Sequence, residues 1–529
     1  MKNKNFKTVG IMLDVSRNAV MNVSALKKYI SIMSDLGFNM LQLYMEDTMK
    51  TENQPYLGYM RGGYSPEEIR EIDAFCRSKG IELVPAVQTL AHYTNTRKLS
   101  HYADIFDFGD ILLIGSEKTY KLIDDLFATI SHNFTSKKVN IGMDEADMVG
   151  LGKYLELHGF TNRNELLVSH LKKVAEIAEK YGFELQMWSD MFFRLNNGGE
   201  YYSRTPVLDE SAKTALPENV VPIFWDYYHV EEEDYDAMFE AHKKFGKETW
   251  FAGGLWNWIG FAPNNLFSMS SMRSALKSAL RYGVDNIMFT AWGDDGKEGS
   301  FFALLPALYA VSRYAVGEFD EGAIKAGFEK KFGIAFDDYM TLDLPNECFD
   351  ENKLTFQSKP LFYADPFLGI IDKELEKKGN APYGEYAKRI AEAGKKAGEF
   401  AYVFDYVSDF ASALELKADL GLRVRKAYAE KSKEDLAKIA EDIGVLIGRV
   451  EKFYESFRTL WYKENKPFGF EIQEYRFGGL TFRLRSCKER IEKYIADGTP
   501  IEELEEEVLE LKGKINDVTF RGVISPSGI

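Results

Sequence analysis

The stretch ELLVSHLKKVAEIAEKYGFELQMW, Glu165 to Trp188, decides the fold. Its first part carries apolar residues at three- and four-residue spacing, Leu167, Leu171, Val174 and Ala178 among them, which is the period of an amphipathic helix. Gly182 then interrupts, as the left-handed residue past a helix end does, and Glu184 to Trp188 reads as a strand. The same handover recurs at Leu36-Gly37-Phe38, Lys79-Gly80-Ile81 and Tyr282-Gly283-Val284, so the unit is a βα repeat.

Working outward, strands are predicted at Thr8–Leu13, Met40–Met45, Ile81–Val87, Val139–Met143, Glu184–Trp188, Val221–Tyr228, Thr249–Trp256 and Asn286–Trp292, with helical segments such as Ser24–Leu36, Pro66–Lys79 and Glu117–Ser131 between them. Eight repeats over about 300 residues predict an α/β fold, a (β/α)8 TIM barrel. A doubly wound open sheet is disfavoured, because no GxGxxG follows the first strand. Beyond Ala315 the strands stop. Helices are predicted at Ala323–Lys331, Ile370–Glu376, Ala387–Phe404, Ser412–Ala429, Glu434–Trp461, Thr481–Ile495 and Ile501–Lys514. The division expected is a catalytic barrel over 1–316 and a helical region over 317–529.

A chain of 529 residues with 45% hydrophobic content can bury a large core. Its net charge of −16 argues against nucleic acid or an anionic membrane as partner, since either would repel it. Cys76, Cys348 and Cys487 form no CxxC pattern, so reduced thiols are expected, with neither a disulfide framework nor a zinc cluster. No apolar leader or segment of transmembrane length is apparent, which makes a cytoplasmic location the expectation.

The functional signal lies in Val139-Asn140-Ile141-Gly142-Met143-Asp144-Glu145, an apolar run that breaks off in two acids. If the strand continues through Met143, alternation points Asn140, Gly142 and Asp144 one way, with Glu145 at the start of the loop. Two carboxyls in one small volume push one pKa upward, which keeps a proton available near neutral pH. A helix N-cap followed by a solvated face would also account for the pair. The other strand ends tip the balance. They offer Asp14 and Arg17, Glu46 and Asp47, Gln88 and His92, Trp188 and Asp190, Trp225 to Tyr228, Trp256 and Trp258, and Trp292 with Asp294 and Asp295. Five of the seven tryptophans thus fall at one rim, a composition suited to stacking on pyranose faces while acids and arginine hold hydroxyls. Glu46 is placed to orient the ring of His92. No HExxH or paired-histidine spacing is present, so neither metal nor cofactor is expected.

Ile141-Gly142-Met143-Asp144-Glu145, with Gly10-Ile11-Met12-Leu13-Asp14-Val15-Ser16-Arg17 at the first strand and Ala291-Trp292-Gly293-Asp294 at the last, resembles glycoside hydrolase family 20, the β-N-acetylhexosaminidases, over roughly residues 7–316. The resemblance implies that Glu145 is the general acid/base and that Asp144 orients the substrate acetamido group. It further implies that Tyr227 hydrogen-bonds the acetamido oxygen, that Arg17 holds the C3 and C4 hydroxyls, that Trp292 and Asp294 bind the far edge of the ring, and that Trp188, Trp225 and Trp256 form its walls. Asp294 stands where the family usually has Glu, Asn140 stands where it has His, and no small α/β domain precedes the barrel; the last implies a compact, intracellular-type member.

Adjacent acids at one strand end cannot easily straddle a sugar, as the two carboxyls of ordinary retaining glycosidases do. A substrate whose 2-acetamido group attacks C1 removes that need. The function the resemblance implies is exo-acting hydrolysis of terminal β-linked N-acetylglucosamine, or N-acetylgalactosamine, from an oligosaccharide or glycoconjugate. A protein O-GlcNAc hydrolase would be expected to carry an Asp-Asp pair, and a sugar-binding barrel without turnover needs no proton donor. Tyr227 and Tyr228 remain alternatives for the acetamido contact, since a one-residue shift exchanges the faces. The oligomeric state is left open, a homodimer included.

Overall fold

The computed structural model describes residues 5–208, 216–355, 358–510 and 519–527. Eight parallel strands close in chain order: β1 (Thr8–Asp14), β2 (Met40–Tyr44), β3 (Glu82–Ala86), β4 (Lys138–Asn140), β5 (Glu184–Trp188), β6 (Val220–Trp225), β7 (Trp250–Gly254) and β8 (Asn286–Ala291). β8 returns to β1 in the register Thr8↔Asn286 to Leu13↔Ala291, which leaves no free edge. The α/β barrel is therefore as read. Its repeats are punctuated as expected: Gly37, Gly80, Gly182 and Gly283 all have φ between 65° and 89°. The helix Pro66–Ser78 opens on a reciprocal cap between Ser65 and Glu68.

The barrel interior includes a polar layer. Gln42 donates to Gln186 at 2.6 Å and Asn140 donates to Gln42 at 3.2 Å, all three buried. Each bond supplies a partner that a buried amide would otherwise lack.

β4 departs from expectation. It ends at Asn140, and Gly142, Met143 and Glu145 all take left-handed backbone angles, φ 69°, 70° and 53°. The alternation assumed through Met143 is thereby lost. Backbone pairing persists through Ile141 N to Gln186 O and Trp188 N to Gly142 O, while side chains take the next two amides: Asn140 Oδ1 accepts from Gly142 N at 3.0 Å, and Gln88 Oε1 accepts from Met143 N at 3.2 Å. β6 likewise stops at Trp225, and Asp226 accepts the amides of Tyr228 and His229 to form a turn.

By contacts the chain divides into two units. The first is Met1–Leu255, Ser268–Trp292 and Leu308–Phe319; the second is Trp256–Phe267, Gly293–Ala307 and Asp320–Ile529. The segments after β7 and β8 thus group with the helices. The second unit contains helices Glu321–Phe332, Tyr383–Gly394, Ala401–Lys417, Leu420–Ala429, Lys433–Glu464 and Phe470–Asp497. The helices predicted at Ala387–Phe404 and Ser412–Ala429 are cut differently, because one continuous helix spans Ala401–Lys417. Ile501–Lys514 is helical only at Glu502–Glu505, and residues 511–514 lie outside the described residues. Phe261 anchors the core of this unit, 4.7 Å from Phe410 and 5.1 Å from Phe453 between ring centres. Also within this unit, Lys359 and Arg476 hold Asp295 and Glu298, at 2.6–3.0 Å, and so tie down the segment that carries Asp294.

Cys76 and Cys487 are buried free thiols and Cys348 is a half-buried one. Among the described residues no helix is long and apolar enough to cross a membrane.

Candidate active site

Asp144 and Glu145 lie just past the C-terminal end of β4, where barrel sites are built. The turn that presents them requires glycine at 142. A methyl group there would sit 2.0 Å from Gln88 Oε1, at a φ of +69° that other residues rarely adopt. Asn140, where a histidine was the family's expected residue, holds this turn from below.

The two acids have different surroundings. Asp144 is largely enclosed and accepts from Gln88 Nε2 at 2.9 Å; its other oxygen is 3.1 Å from His92 Nε2. Burial alone would raise its pKa, but the charge and hydrogen bond of His92, with the bond from Gln88, hold the carboxyl below the ordinary range. His92 is the mirror case: burial disfavours its charge, yet Asp144 outweighs that and raises the imidazole to about 9. Glu145 projects further, its side chain 49% exposed, 3.8 Å from His92 Nε2 and 3.8 Å from Arg194 Nη2. One acid is thus fixed as an anion and the other faces the mouth.

The expectation that the pair itself would raise one pKa is corrected for Asp144, which shifts down. Raised carboxyls occur beside it instead. Glu46 is pushed up to about 7, chiefly by burial, and Asp190 also to about 7, by burial and then by the charge of Asp144.

Glu46 does not orient His92; Asp144 does. The carboxylate of Glu46 is taken by Arg17 Nε at 2.8 Å and the Tyr44 hydroxyl at 3.0 Å. Gln88 donates onward to Tyr44 at 2.9 Å, so a continuous chain of hydrogen bonds links Glu46 to Asp144. Arg17 also binds Asp14 at 3.1 Å, and its guanidinium lies 5.2 Å from the Trp292 ring centre.

An aromatic wall completes the first unit's site. Trp188 and Trp292 are 6.2 Å apart by centroids, Trp225 stacks on Tyr227 at 5.1 Å, and Tyr227 meets Trp292 at 6.4 Å. The indole N–H of Trp188 finds no acceptor among the described residues, and a buried donor left in this way suits a polar ligand. Tyr227 is 6% exposed, whereas Tyr228 is 48% exposed and turns edge-on to Tyr202.

Residues 6–237 match the catalytic domain of glycosyl hydrolase family 20, and residues 337–521 match the glycoside hydrolase 20C C-terminal domain. The chain belongs to glycoside hydrolase family 20. It is 25% identical over 232 residues to beta-hexosaminidase 3 of Arabidopsis thaliana, covering 41% of this chain and 42% of that one. It is also 25% identical over 221 residues to human hexosaminidase D, covering 40% and 43%. The chain therefore spans less than half the length of these relatives. Among solved structures, a Flavobacterium johnsoniae chitobiase aligns at a TM-score of 0.49 with 15% identity, covering 86% of this chain and 78% of that one.

Within this family 20 chain, Trp256 and Asp294 belong to the second unit. Trp256 is buried and stacks on Trp258 at 4.0 Å, and Asp294 is exposed at a φ of 24°. His92, Asp144 and Glu145 offer atoms within 4.8 Å of one another, close enough for a cation, although His92 and Asp144 already satisfy each other. A separate cavity lined by Lys138, Glu184, Glu218 and Glu248 lies toward the opposite, N-terminal ends of the strands.

Sequence reasoning missed Arg194 and gave no role to Gln88 or Asp190. Gln88 and Asp190 each directly follow or closely follow a strand end, which was the available signal; Arg194 lies a helical turn later, and only folding brings it back.

Proposed function

We propose that this protein is an exo-acting β-N-acetylhexosaminidase, releasing terminal β-linked N-acetylglucosamine or N-acetylgalactosamine from oligosaccharides or glycoconjugates with retention of configuration. The observation that carries the reading is the asymmetry of the adjacent pair: an enclosed Asp144 held anionic by His92, beside a half-exposed Glu145. Neighbouring carboxyls on one turn serve one side of a bound sugar, so the attacking group comes from the substrate.

In this mechanism the 2-acetamido oxygen attacks C1 while Glu145 donates a proton to the departing glycosidic oxygen. A cyclic oxazolinium ion forms. Asp144 offsets the positive charge at the acetamido nitrogen, in a site where desolvation strengthens the attraction. Tyr227 hydrogen-bonds the acetamido oxygen and steers it. Glu145, now a carboxylate, takes a proton from water as that water attacks C1 and breaks its bond to the acetamido oxygen, which restores the acetamido group and regenerates the acid. Arg17 and Glu46 hold ring hydroxyls, His92 fixes Asp144, and Trp188, Trp225 and Trp292 face the sugar ring.

The test compares aryl N-acetyl-β-glucosaminide, its galacto epimer and the plain aryl β-glucoside. Turnover of the acetamido substrates alone, with competitive inhibition by a thiazoline mimic of the cyclic ion, supports the reading. Equal turnover of the plain glucoside overturns it.

A further inference from the structure

Asp190 opens the short helix Asp190–Arg194 after β5 and is fully shielded from solvent. Its Oδ2 accepts two hydrogen bonds, from the backbone N–H of Glu145 at 3.1 Å and from Nε of Arg194 at 3.2 Å. The far end of the same guanidinium lies 3.8 Å from the Glu145 carboxylate. Glu145 has a left-handed φ of 53°. That conformation is strained for a non-glycine residue and persists only where its surroundings hold it.

We propose that Asp190 is the positioning residue for Glu145: one oxygen fixes both the turn from which the Glu145 side chain springs and the guanidinium beside its carboxyl. A buried carboxylate is costly, and Oδ1 of Asp190 has no partner among the described residues, so packing does not account for an acid at this place. The geometry does. The backbone bond fixes where Glu145 begins, and Arg194, held by Asp190, limits where its carboxyl can go. The hydrogen bond to Asp190 also keeps the Arg194 guanidinium beside the Glu145 carboxyl. A proton donor must come within about 2.6–3.2 Å of the oxygen it serves. An error of about 1 Å in such placement costs about 100-fold in rate.

The inference rests on the reading of Glu145 as proton donor, and the experiment separates the two. Asp190→Ala and Asp190→Asn are assayed on two N-acetyl-β-glucosaminides. One has a dinitrophenyl group that leaves without a proton; the other has an alkyl alcohol that must receive one. Asp190→Ala is expected to lower kcat/KM on the alkyl glycoside about 100-fold, with kcat/KM on the dinitrophenyl glycoside little changed, because that ratio reports only the first, proton-dependent step. Asp190→Asn keeps an oxygen for the Glu145 amide and falls between Asp190→Ala and the unaltered protein. Equal losses on both substrates, or none, would overturn the positioning role. Glu145→Gln serves as the reference: if it shows no leaving-group dependence, the proton-donor reading fails; if it does and the Asp190 variants do not, only the role of Asp190 fails. Should Asp190→Ala not fold, Arg194→Gln tests the same link and is expected to show a weaker form of the same selectivity; no selectivity there counts against the proposal.

Discussion

The imidazole Nε2 of His92 stands 3.1 Å from Oδ2 of Asp144, and this contact reverses what burial would do to both groups. Buried apart, the histidine would shed its proton and the aspartate would gain one. Together, His92 is raised to about 9 and Asp144 is held low.

The pair makes stability depend on pH with a definite sign. The folded state binds the His92 proton more tightly than the unfolded chain, so the contribution is complete below about 6.5 and is lost as pH rises through about 9. Thermal melts between these limits are expected to show falling stability, by on the order of 1–3 kcal/mol. His92→Gln should flatten that slope. A slope unchanged in the variant removes His92 as its source.

Glu145→Gln tests the proton donor. On a disaccharide or alkyl glycoside its kcat is expected to fall about 10²–10⁴-fold, the range general acid catalysis supplies. On dinitrophenyl substrates the first step needs no proton, and the loss should be smaller. Undiminished cleavage of a natural disaccharide removes Glu145 from the role.

Asp144→Asn keeps the shape and removes the charge. We expect kcat to drop about 10²–10³-fold, comparable to removal of a major electrostatic stabiliser. The loss should include activated leaving groups, because formation of the cyclic ion is impaired whatever departs. That pattern is opposite to the one for Glu145 and is read by the same pair of substrates.

Tyr227→Phe and Tyr228→Phe settle the phenol. Tyr227 lies buried against Trp225 and Trp292, whereas Tyr228 is half-exposed. The first substitution should reduce kcat by about tenfold or more, the scale of one lost hydrogen bond to a charged group. The second should leave it nearly unchanged. The reverse order of effects would assign the contact to Tyr228.

Gly142→Ala brings a methyl group to 2.0 Å from Gln88 Oε1 in a left-handed backbone. A loss of about 1–3 kcal/mol in stability is expected, with lower activity as Gln88 is displaced from Asp144. Calorimetry together with kcat checks both. If stability and rate are retained, the turn does not need its glycine.

Much of the architecture is legible along the chain because its cause is local. Apolar spacing around Leu167 and Val174, and a glycine such as Gly182 at each return turn, carry the helix–strand alternation without reference to anything distant. The acids at 144 and 145 stand out for the same reason, since each follows an apolar strand. Where β4 stops was not legible: Gln88 and Asn140 draw the backbone into left-handed angles after Asn140, and a period-two reading has no means to register side chains arriving from elsewhere.

The sequence by itself therefore determined the repeat and the number of strands, because these follow from periodicity and from the order of short segments. Only the tertiary structure decided which groups share charge. His92 went to Asp144 and Glu46 to Arg17, while Asp190 reached the amide of Glu145. Proton affinity depends on burial and on partners within a few ångströms, and both arise only when strands distant in the chain are closed into a ring.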